Sequence, residues 1–580
     1  MLESKSVKLF FSRSFLAVAA LLVLSLFALK DLAKPGFYTS HDGETHTARM
    51  AQYWQALAHG QIPPRFAGSL YNGLGSPILT YIYPLPYLAG SAVHALGFSF
   101  SDSFEIIMGL GFIFSGIFSY LWLREITKSE KSAFLGALFY TWVPYRFLLI
   151  YVRGSLSEVL AYTFLPLLLY CLTRLAKNPN WASLAGSAII TALVLLSQNL
   201  VAVISLPIVF FYLVISSIQN KSPKAFFAGV LSIAWGLAIS SFTYLPSIFE
   251  RKFTRLDEII TIAYPDHFVS LKQLIRSPWG YGFDLPGTVN DQISLQIGLI
   301  HIFVLFVSLF TTAYLVKKGK FPTTAIYFIF IFAIASFLML QNKITSSVWQ
   351  QFKPLHFIDI PWRLLGVTAL SLSYLAAYSA KHIKPGLYFL ILAAFVLAAN
   401  RNHLRINQSV VKDDAFFQLY PGTATQYDEF TPVWRQSTRV PIGFDRNIPV
   451  ELVSGDADIT GVSAKSNEVT FGANVTSAQT QIRINKFYFP GWNVEVDGAR
   501  LTPFDNLTVT DTATLLLDRE QDASGLMMVT LERGGHQVKA RFGETRLRLA
   551  ADLLSLGAFL GALLVVTRLF VARNRARNNL

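Results

Sequence analysis

Long apolar blocks alternate with short polar ones along this chain. Apolar stretches fall at 14–30, 104–123, 132–150, 156–173, 182–198, 200–217, 225–247, 296–316, 322–341, 364–380, 385–400 and 548–569. A helix crossing a hydrocarbon core of ~30 Å needs about 20 such residues, so the pattern predicts about twelve membrane spans. The run 182–217 is close to twice the length one helix needs, and it divides at Ser197-Gln198-Asn199. The stretch "YIYPLPYLAGSAVHALGF" at 81–98 is apolar but short and proline-rich, which predicts a re-entrant or interfacial helix. Between the last two spans the period changes to two. "NEVTFGANV", "QTQIRINKFYF", "NVEVDGARL", "LTVTDTATLLL" and "LMMVTLERGGHQVKARF" read as strands, with turn signals at "VDGA" and "ERGGHQ". The expected organisation is a transmembrane domain over 1–400, including an outer loop at 31–103. A β-sandwich domain follows over 401–547, then a last span with a basic tail over 548–580.

Composition agrees with a membrane protein: 53% of the 580 residues are hydrophobic and mean hydropathy is positive. A formal charge of +14 has two readings, nucleic-acid binding or cytoplasmic loops rich in Lys and Arg. The basic residues decide it. Lys5, Lys8 and Arg13; Arg124, Lys128 and Lys131; Arg174 and Lys177; Lys221 and Lys224; Lys317, Lys318 and Lys320; Lys381 and Lys384; and Arg573, Arg575 and Arg577 occupy every second loop. The charge needs no nucleic acid. It predicts a multi-pass protein of the cell membrane with both termini cytoplasmic and with 31–103, 248–295, 342–363 and 401–547 outside. The N-terminal stretch lacks an evident small-residue cleavage site and reads as an uncleaved span. The single cysteine, Cys171, excludes an internal disulfide and makes a cysteine metal site improbable.

Candidate chemistry concentrates outside the membrane, where ionisable side chains near membrane depth usually have a role. In "YTSHDGETHTARMAQYW" a helix starting near Asp42 puts His46, Arg49 and Tyr53 on one face, beside an apolar stripe of Met50, Trp54 and Leu57. Asp42 is a candidate base; as a plain helix N-cap it would have no chemical role. Arg153 and Glu158 in "VRGSLSE" are five residues apart, poorly placed within one helix but able to pair across a turn, as binding groups or as a structural ion pair. In "HFIDIPWRLLG", His356, Asp359 and Arg363 precede a span. Arg363 suits a lipid phosphate, and Trp362 with Arg363 equally suits interfacial anchoring. Tyr264, Trp279 and Tyr281 suit sugar stacking or an interfacial belt. The sequence has no GxxxxGK[ST], HExxH or CxxC pattern, so a P-loop or a standard zinc site is unsupported.

The first outer loop, "SHDGETHTARMAQYWQALAHGQIPPRFAGSLYNGLGSPILTYIYPLPYLAG", resembles that of GT-C glycosyltransferases of the lipid-linked aminoarabinose and protein-mannosyl branches. They show an acidic pair, an amphipathic helix, a Gly/Pro step and a "PPL-Y-W"-like segment. Here these are Asp42 and Glu44, the helix, Gly60 with Pro63-Pro64, and "YPLPY". The family pattern has adjacent Asp-Glu, whereas this chain reads Asp-Gly-Glu. Over nearly the whole length, "VRGSLSE", "SFTYLPSIFE", "SPWGYG", "IPWRLLG", "YDEFTPVW" and "FYFPGWNVEVDG" are similar to bacterial 6-pyruvoyl-tetrahydropterin synthase-related membrane proteins, akin to the YfhO-type family. The pterin name carries no chemistry here, because the zinc-binding histidines of that soluble enzyme have no counterpart.

The GT-C resemblance implies transfer of a sugar from a polyprenyl-phosphate donor to a glycan or lipid acceptor, with membrane lipids around it. It implies Asp42 as base, with Glu44 beside it. On charge and placement, His46, Arg49, Arg153, Glu158, His356 and Arg363 are candidates to bind the donor phosphate and substrates. Asp42 and Glu44 are also candidate ligands for a divalent metal, although two carboxylates do not define one. The alternatives are a non-catalytic transporter or flippase, or an accessory subunit of surface-glycan assembly.

Overall fold

Each of the twelve apolar stretches is helical in the computed structural model, which describes residues 13–259, 264–285, 291–383, 386–425, 427–436, 445–501, 513–517 and 524–578. Lys5, Lys8, Lys384 and the first half of "LTVTDTATLLL" lie outside the described residues. Helix length does not carry a count of twelve spans. Among the described residues five helices are long and apolar enough to cross a membrane: Phe100–Thr127, Leu156–Lys177, Asn199–Gln219, Leu299–Lys317 and Arg546–Arg568. Two bent pairs raise the number to seven: Glu130–Thr141 with Pro144–Arg153, bent by 49°, and Pro223–Ile239 with Ser241–Phe249, bent by 71°. Helices such as Arg13–Ala28, Trp181–Ser197, Thr323–Met339 and Gly386–Asn400 have 15 to 17 residues. At 1.5 Å per residue these reach only about 22–26 Å.

Local signals account for the breaks. The helix Trp181–Ser197 ends where Gln198 turns extended, and the Gln198 side chain accepts from the Val201 N–H at 2.6 Å to start the next helix. The segment 81–98 contains one ten-residue helix, Leu85–His94, begun by Pro84 and Pro86 and too short to span. It packs on helix Gly43–Ala58, the amphipathic helix of the outer loop. A Cβ on Gly90 would lie 2.2 Å from Met50 Cε, so the two helices touch there.

The period-2 region forms one hydrogen-bonded sheet of seven strands rather than two separate sheets. These are β3 (Val450–Ser454), β4 (Ala457–Ala464), β5 (Glu468–Phe487), β6 (Trp492–Val496), β7 (Ala499–Leu501), β8 (Ala513–Leu517) and β9 (Leu526–Phe542). Two of the sequence runs, "NEVTFGANV" and "QTQIRINKFYF", merge into the single 20-residue β5. "VDGA" is a hairpin turn: Val496 pairs with Ala499, and Asp497 and Gly498 both have positive φ, as a two-residue turn of this hand requires. "ERGGHQ" is not a turn. β9 continues through it, and a register shift opposite, between Val475 and Gln479 of β5, bends the pair. The bend lets β5 and β9 pair with β4 and β6 at one end and with β3 and β8 at the other. A separate pair, β1 (Phe37–Tyr38) with β2 (Ser409–Val410), ties the start of the outer loop to the segment before the sheet.

Two buried arginines join the sheet to the helices. Arg65 of the outer loop donates to Phe242 O at 2.7 Å and to Asp552 of the last helix at 2.6 Å. Arg548 is fully buried. It meets Glu250 through Nε and Nη2, both at 2.8 Å, donates to Pro490 O at 2.8 Å, and lies over the Phe489 and Phe542 rings. Removing one partner of a buried pair leaves the other charge uncompensated, at a cost of about 3–5 kcal/mol. Glu250→Ala is therefore expected to lower the thermal unfolding midpoint of the detergent-solubilised protein sharply. Adding Arg548→Met should recover most of the loss. A single variant as stable as the wild type would show that this junction does not hold the sheet.

Candidate functional site

Two glycines bring the outer loop onto the membrane helices. The helical turn Leu148–Arg153 ends at Gly154, whose φ of +62° suits glycine, and helix Leu156–Lys177 follows. A Cβ on Gly154 would sit 2.3 Å from Ser40 Oγ and 3.1 Å from Gly43 Cα, and a Cβ on Gly43 would sit 2.3 Å from Ser40 Oγ. Without side chains at either position, the backbones meet. The His41 N–H donates to Val152 O at 3.0 Å and the Asp42 N–H to Arg153 O at 2.7 Å. This contact sets Asp42 directly against Arg153.

Carboxylates and guanidinium groups then alternate. Arg153 donates from Nη2 to Asp42 Oδ2 at 2.9 Å and from Nη1 to Glu158 Oε1. Arg363 lies with Nε 3.3 Å from the same Glu158 oxygen and donates from Nη1 to Asp359 Oδ1 at 2.6 Å. Tyr145 OH completes Glu158 at 2.9 Å. The Arg153 guanidinium lies 5.2 Å from the Trp362 ring centroid, and Trp362 Nε1 donates at 2.6 Å to Asp284, which also takes His267 Nδ1 at 2.5 Å. Exposure separates the carboxylates. The Glu158 side chain is 1% exposed and committed to its partners, whereas the carboxylates at the two ends, Asp42 and Asp359, are 37% and 42% exposed.

Asp42 occupies the N-cap position of helix Gly43–Ala58 but makes no capping hydrogen bond. Its carboxylate goes to Arg153. Burial pushes its pKa up, but Arg153 and the neighbouring cations outweigh that and hold it below the ordinary carboxylate range. One turn further, buried His46 shares Tyr87 OH with Arg49: His46 Nδ1 is 2.9 Å away and Arg49 Nη1 donates at 3.4 Å. Burial, reinforced by Arg49, pulls the His46 pKa down to about 3, so the imidazole is neutral at physiological pH. Arg49 also donates from Nε to Ala424 O at 2.8 Å.

Of the candidate residues, Asp42, Arg153, Glu158 and Arg363 meet in this chain, with His46 and Arg49 one helical turn away. Glu44 does not join them; its carboxylate pairs with Lys412. His356 lies apart, with Nε2 2.8 Å from Trp349 O and its ring stacked on Tyr264. Trp279 stacks on His403, and Tyr281 accepts His41 Nε2 on its carbonyl. Asp42 and Glu44 engage different cations. Among the described residues no three His, Cys, Asp or Glu side chains cluster as metal ligands. This donor set does not fit a divalent metal. Tyr87, Tyr145, His267 and Asp284 were missed by sequence reasoning. They are ordinary loop and helix residues whose partners are 13 to 78 positions away along the chain.

Residues 79–371, half of the chain, match the 6-pyruvoyl-tetrahydropterin synthase related domain, a membrane protein family. An uncharacterized protein of Lactococcus lactis subsp. cremoris (strain MG1363) is 25% identical over 234 residues, 39% of this chain and 38% of that one. The chain thus spans well under half the length of that relative. Among solved structures, the arabinofuranosyltransferase AftD from Mycobacteria aligns with a TM-score of 0.44 and 16% identity over 66% of this chain and 26% of AftD. The Archaeoglobus fulgidus oligosaccharyltransferase in its apo form aligns with a TM-score of 0.42 and 14% identity over 73% of this chain and 61% of that one. These structural likenesses are too distant to assign an activity, and the family match carries the identification. The chain belongs to the 6-pyruvoyl-tetrahydropterin synthase related family of membrane proteins.

Proposed function

We propose that this protein is a glycosyltransferase of the cell membrane that works on the extracytoplasmic face. It moves a sugar from a polyprenyl-phosphate donor to a hydroxyl of a glycan or lipid acceptor. The observation that carries the proposal is the Asp42 carboxylate. It stands at a helix start without capping the helix, is held by Arg153, and is one of the two partly exposed ends of a chain of charges whose centre is buried. The resemblance of the outer loop to GT-C enzymes supports the same role.

In this reaction the bond from the anomeric carbon to the phosphate oxygen breaks, and the phosphate leaves with the electron pair. The acceptor oxygen bonds the anomeric carbon and gives its proton to Asp42. Arg153 and Arg363 face the departing phosphate as cations. A phosphate arriving at Arg153 competes with Asp42 for the guanidinium, which raises the basicity of the carboxylate when it is needed. Glu158, fixed by Arg153, Arg363 and Tyr145, positions the two arginines. Neutral His46 leaves Asp42 as the proton acceptor without adding a charge beside it.

Asp42→Asn should still fold, because Glu158 remains to pair Arg153 and the lost carboxylate makes no cap, yet lose sugar transfer in reconstituted vesicles by about 100-fold or more. Undiminished transfer by this variant would remove Asp42 as the base. Movement of the lipid-linked sugar across the membrane without transfer, in the wild type, would establish the flippase reading instead. Acid stability tests the His46 environment. A folded-state pKa near 3 against about 6.5 when unfolded means the unfolded chain takes up the proton first as pH falls below about 6.5. This stabilisation is complete above that pH and is lost as pH falls towards 3. Between pH 6.5 and 4.5 His46→Gln should therefore lose about 2–3 kcal/mol less stability than the wild type; parallel losses would show that His46 is not held neutral. For orientation, in a Cys171→Ser background, Val411→Cys, at a position 97% exposed, should react with an impermeant maleimide on intact cells. Lys320→Cys should react only after permeabilisation, and the opposite pattern would invert the topology.

A further inference from the structure

A cleft of about 220 Å³ lies between the C-terminal end of helix Gly43–Ala58 and the sheet domain, remote from the charge chain. Its floor is close-packed: a Cβ on Gly68 would sit 2.3 Å from Ser466 Cα, and His59 Nδ1 accepts from the Ser466 N–H at 3.1 Å. Gln55 at the cleft is 13 residues beyond Asp42, about 20 Å along the helix axis.

Three cations line this cleft, and none has a carboxylate partner among the described residues. Lys486, 6% exposed, donates to Gly68 O at 2.8 Å and to Gly73 O. Arg446 donates to Leu419 O and to Asn72 Oδ1. Lys465 makes no ion pair and stands at the rim. Asp445, exposed, is the single acid of the lining among the described residues. A buried ammonium held only by neutral carbonyls is costly, and burial alone pulls the Lys486 pKa down to about 8. An anion in the cleft offsets that cost. The helix end does not oppose it, because its last carbonyls are taken by the N–H groups of His59, Gly60 and Gln61.

About half of the remaining lining carries side chains that can exchange hydrogen bonds with hydroxyls, among them Gln55, Ser69, Asn447 and Asn485. The volume is below the ~300–1,000 Å³ of drug-sized sites, which suits one sugar unit rather than a chain. We propose that this cleft binds the anionic group, carboxylate or phosphate, of a single acidic sugar unit. Its role as an acceptor subsite rests on the transferase reading above; the binding itself does not.

Calorimetric titration of the full-length protein in detergent tests it, with glucuronate, glucose 1-phosphate, inorganic phosphate and glucose as probes. One of the two acidic sugars should bind saturably, at least tenfold tighter than glucose, and which one does so distinguishes carboxylate from phosphate. Lys465→Ala, at an exposed position, should weaken that binding about tenfold, and Lys486→Met should weaken it further. Asp42→Asn should bind like the wild type while losing transfer, so failure of the catalytic reading and failure of this one are separable. Equal affinity for glucose, no saturable binding of any probe, affinity for inorganic phosphate matching the sugars, or binding unchanged in Lys465→Ala would each overturn the proposal.

Discussion

The site depends on one close approach, that of Gly43 to Gly154. A Cβ on Gly154 would press on Gly43 Cα and Ser40 Oγ, and one on Gly43 would press on Ser40 Oγ, so the loop seats here because both are glycine, and the meeting delivers Asp42 to Arg153 through a direct backbone hydrogen bond. Everything charged in the centre follows from it. Arg153 bridges Asp42 to Glu158, Glu158 reaches Arg363, and Arg363 reaches Asp359. Buried ions are tolerated only when paired, so each member makes its neighbour possible. Both end carboxylates, Asp42 and Asp359, stay partly open while Glu158 between them is buried, and Asp42 is the one set against Arg153 at a helix start.

The same rule of paired burial joins the two kinds of architecture. Apolar contacts run from the helical part into the sheet, Phe66 against Trp492 and Phe542 and Tyr71 against Phe487 among them. Arg65 and Arg548 pin this junction, reaching Phe242 O of helix Ser241–Phe249, Glu250 just after it, Pro490 O beside the sheet and Asp552 of the last helix. The sheet is thereby held against the outer loop, and the cleft of Lys486 lies in the seam between them. Site and cleft occupy opposite ends of one helix, Gly43–Ala58.

Much of this was legible in residue patterns. Hydropathy located the apolar helices, the break at Gln198 and the short helix after Pro84. The period-2 runs located β5, β6 and β9, and Asp497-Gly498 its hairpin turn. The helix beginning beside Asp42 and the face carrying His46, Arg49 and Tyr53 were equally visible. Pattern reading went astray where a local signal was overridden by a partner. "ERGGHQ" looks like a turn, but β5 beside it keeps β9 extended. Glu44 looks like a second site acid, but Lys412, 368 residues away, takes it.

By itself the sequence determined the membrane class, the helix and strand content and the shortlist of ionisable groups outside the spans. These follow from burial of apolar surface and from backbone periodicity, both local properties. Only the tertiary structure decided which charges meet. Arg153 and Arg363 reach the same carboxylate from segments some 200 residues apart, and Asp284 arrives at Trp362 from another loop. Pairing energies fall steeply with distance and depend on burial, and neither quantity exists until the chain has folded. For that reason the candidates could be named in advance, but their grouping, with Asp42 at one end of the chain and His356 elsewhere, could not.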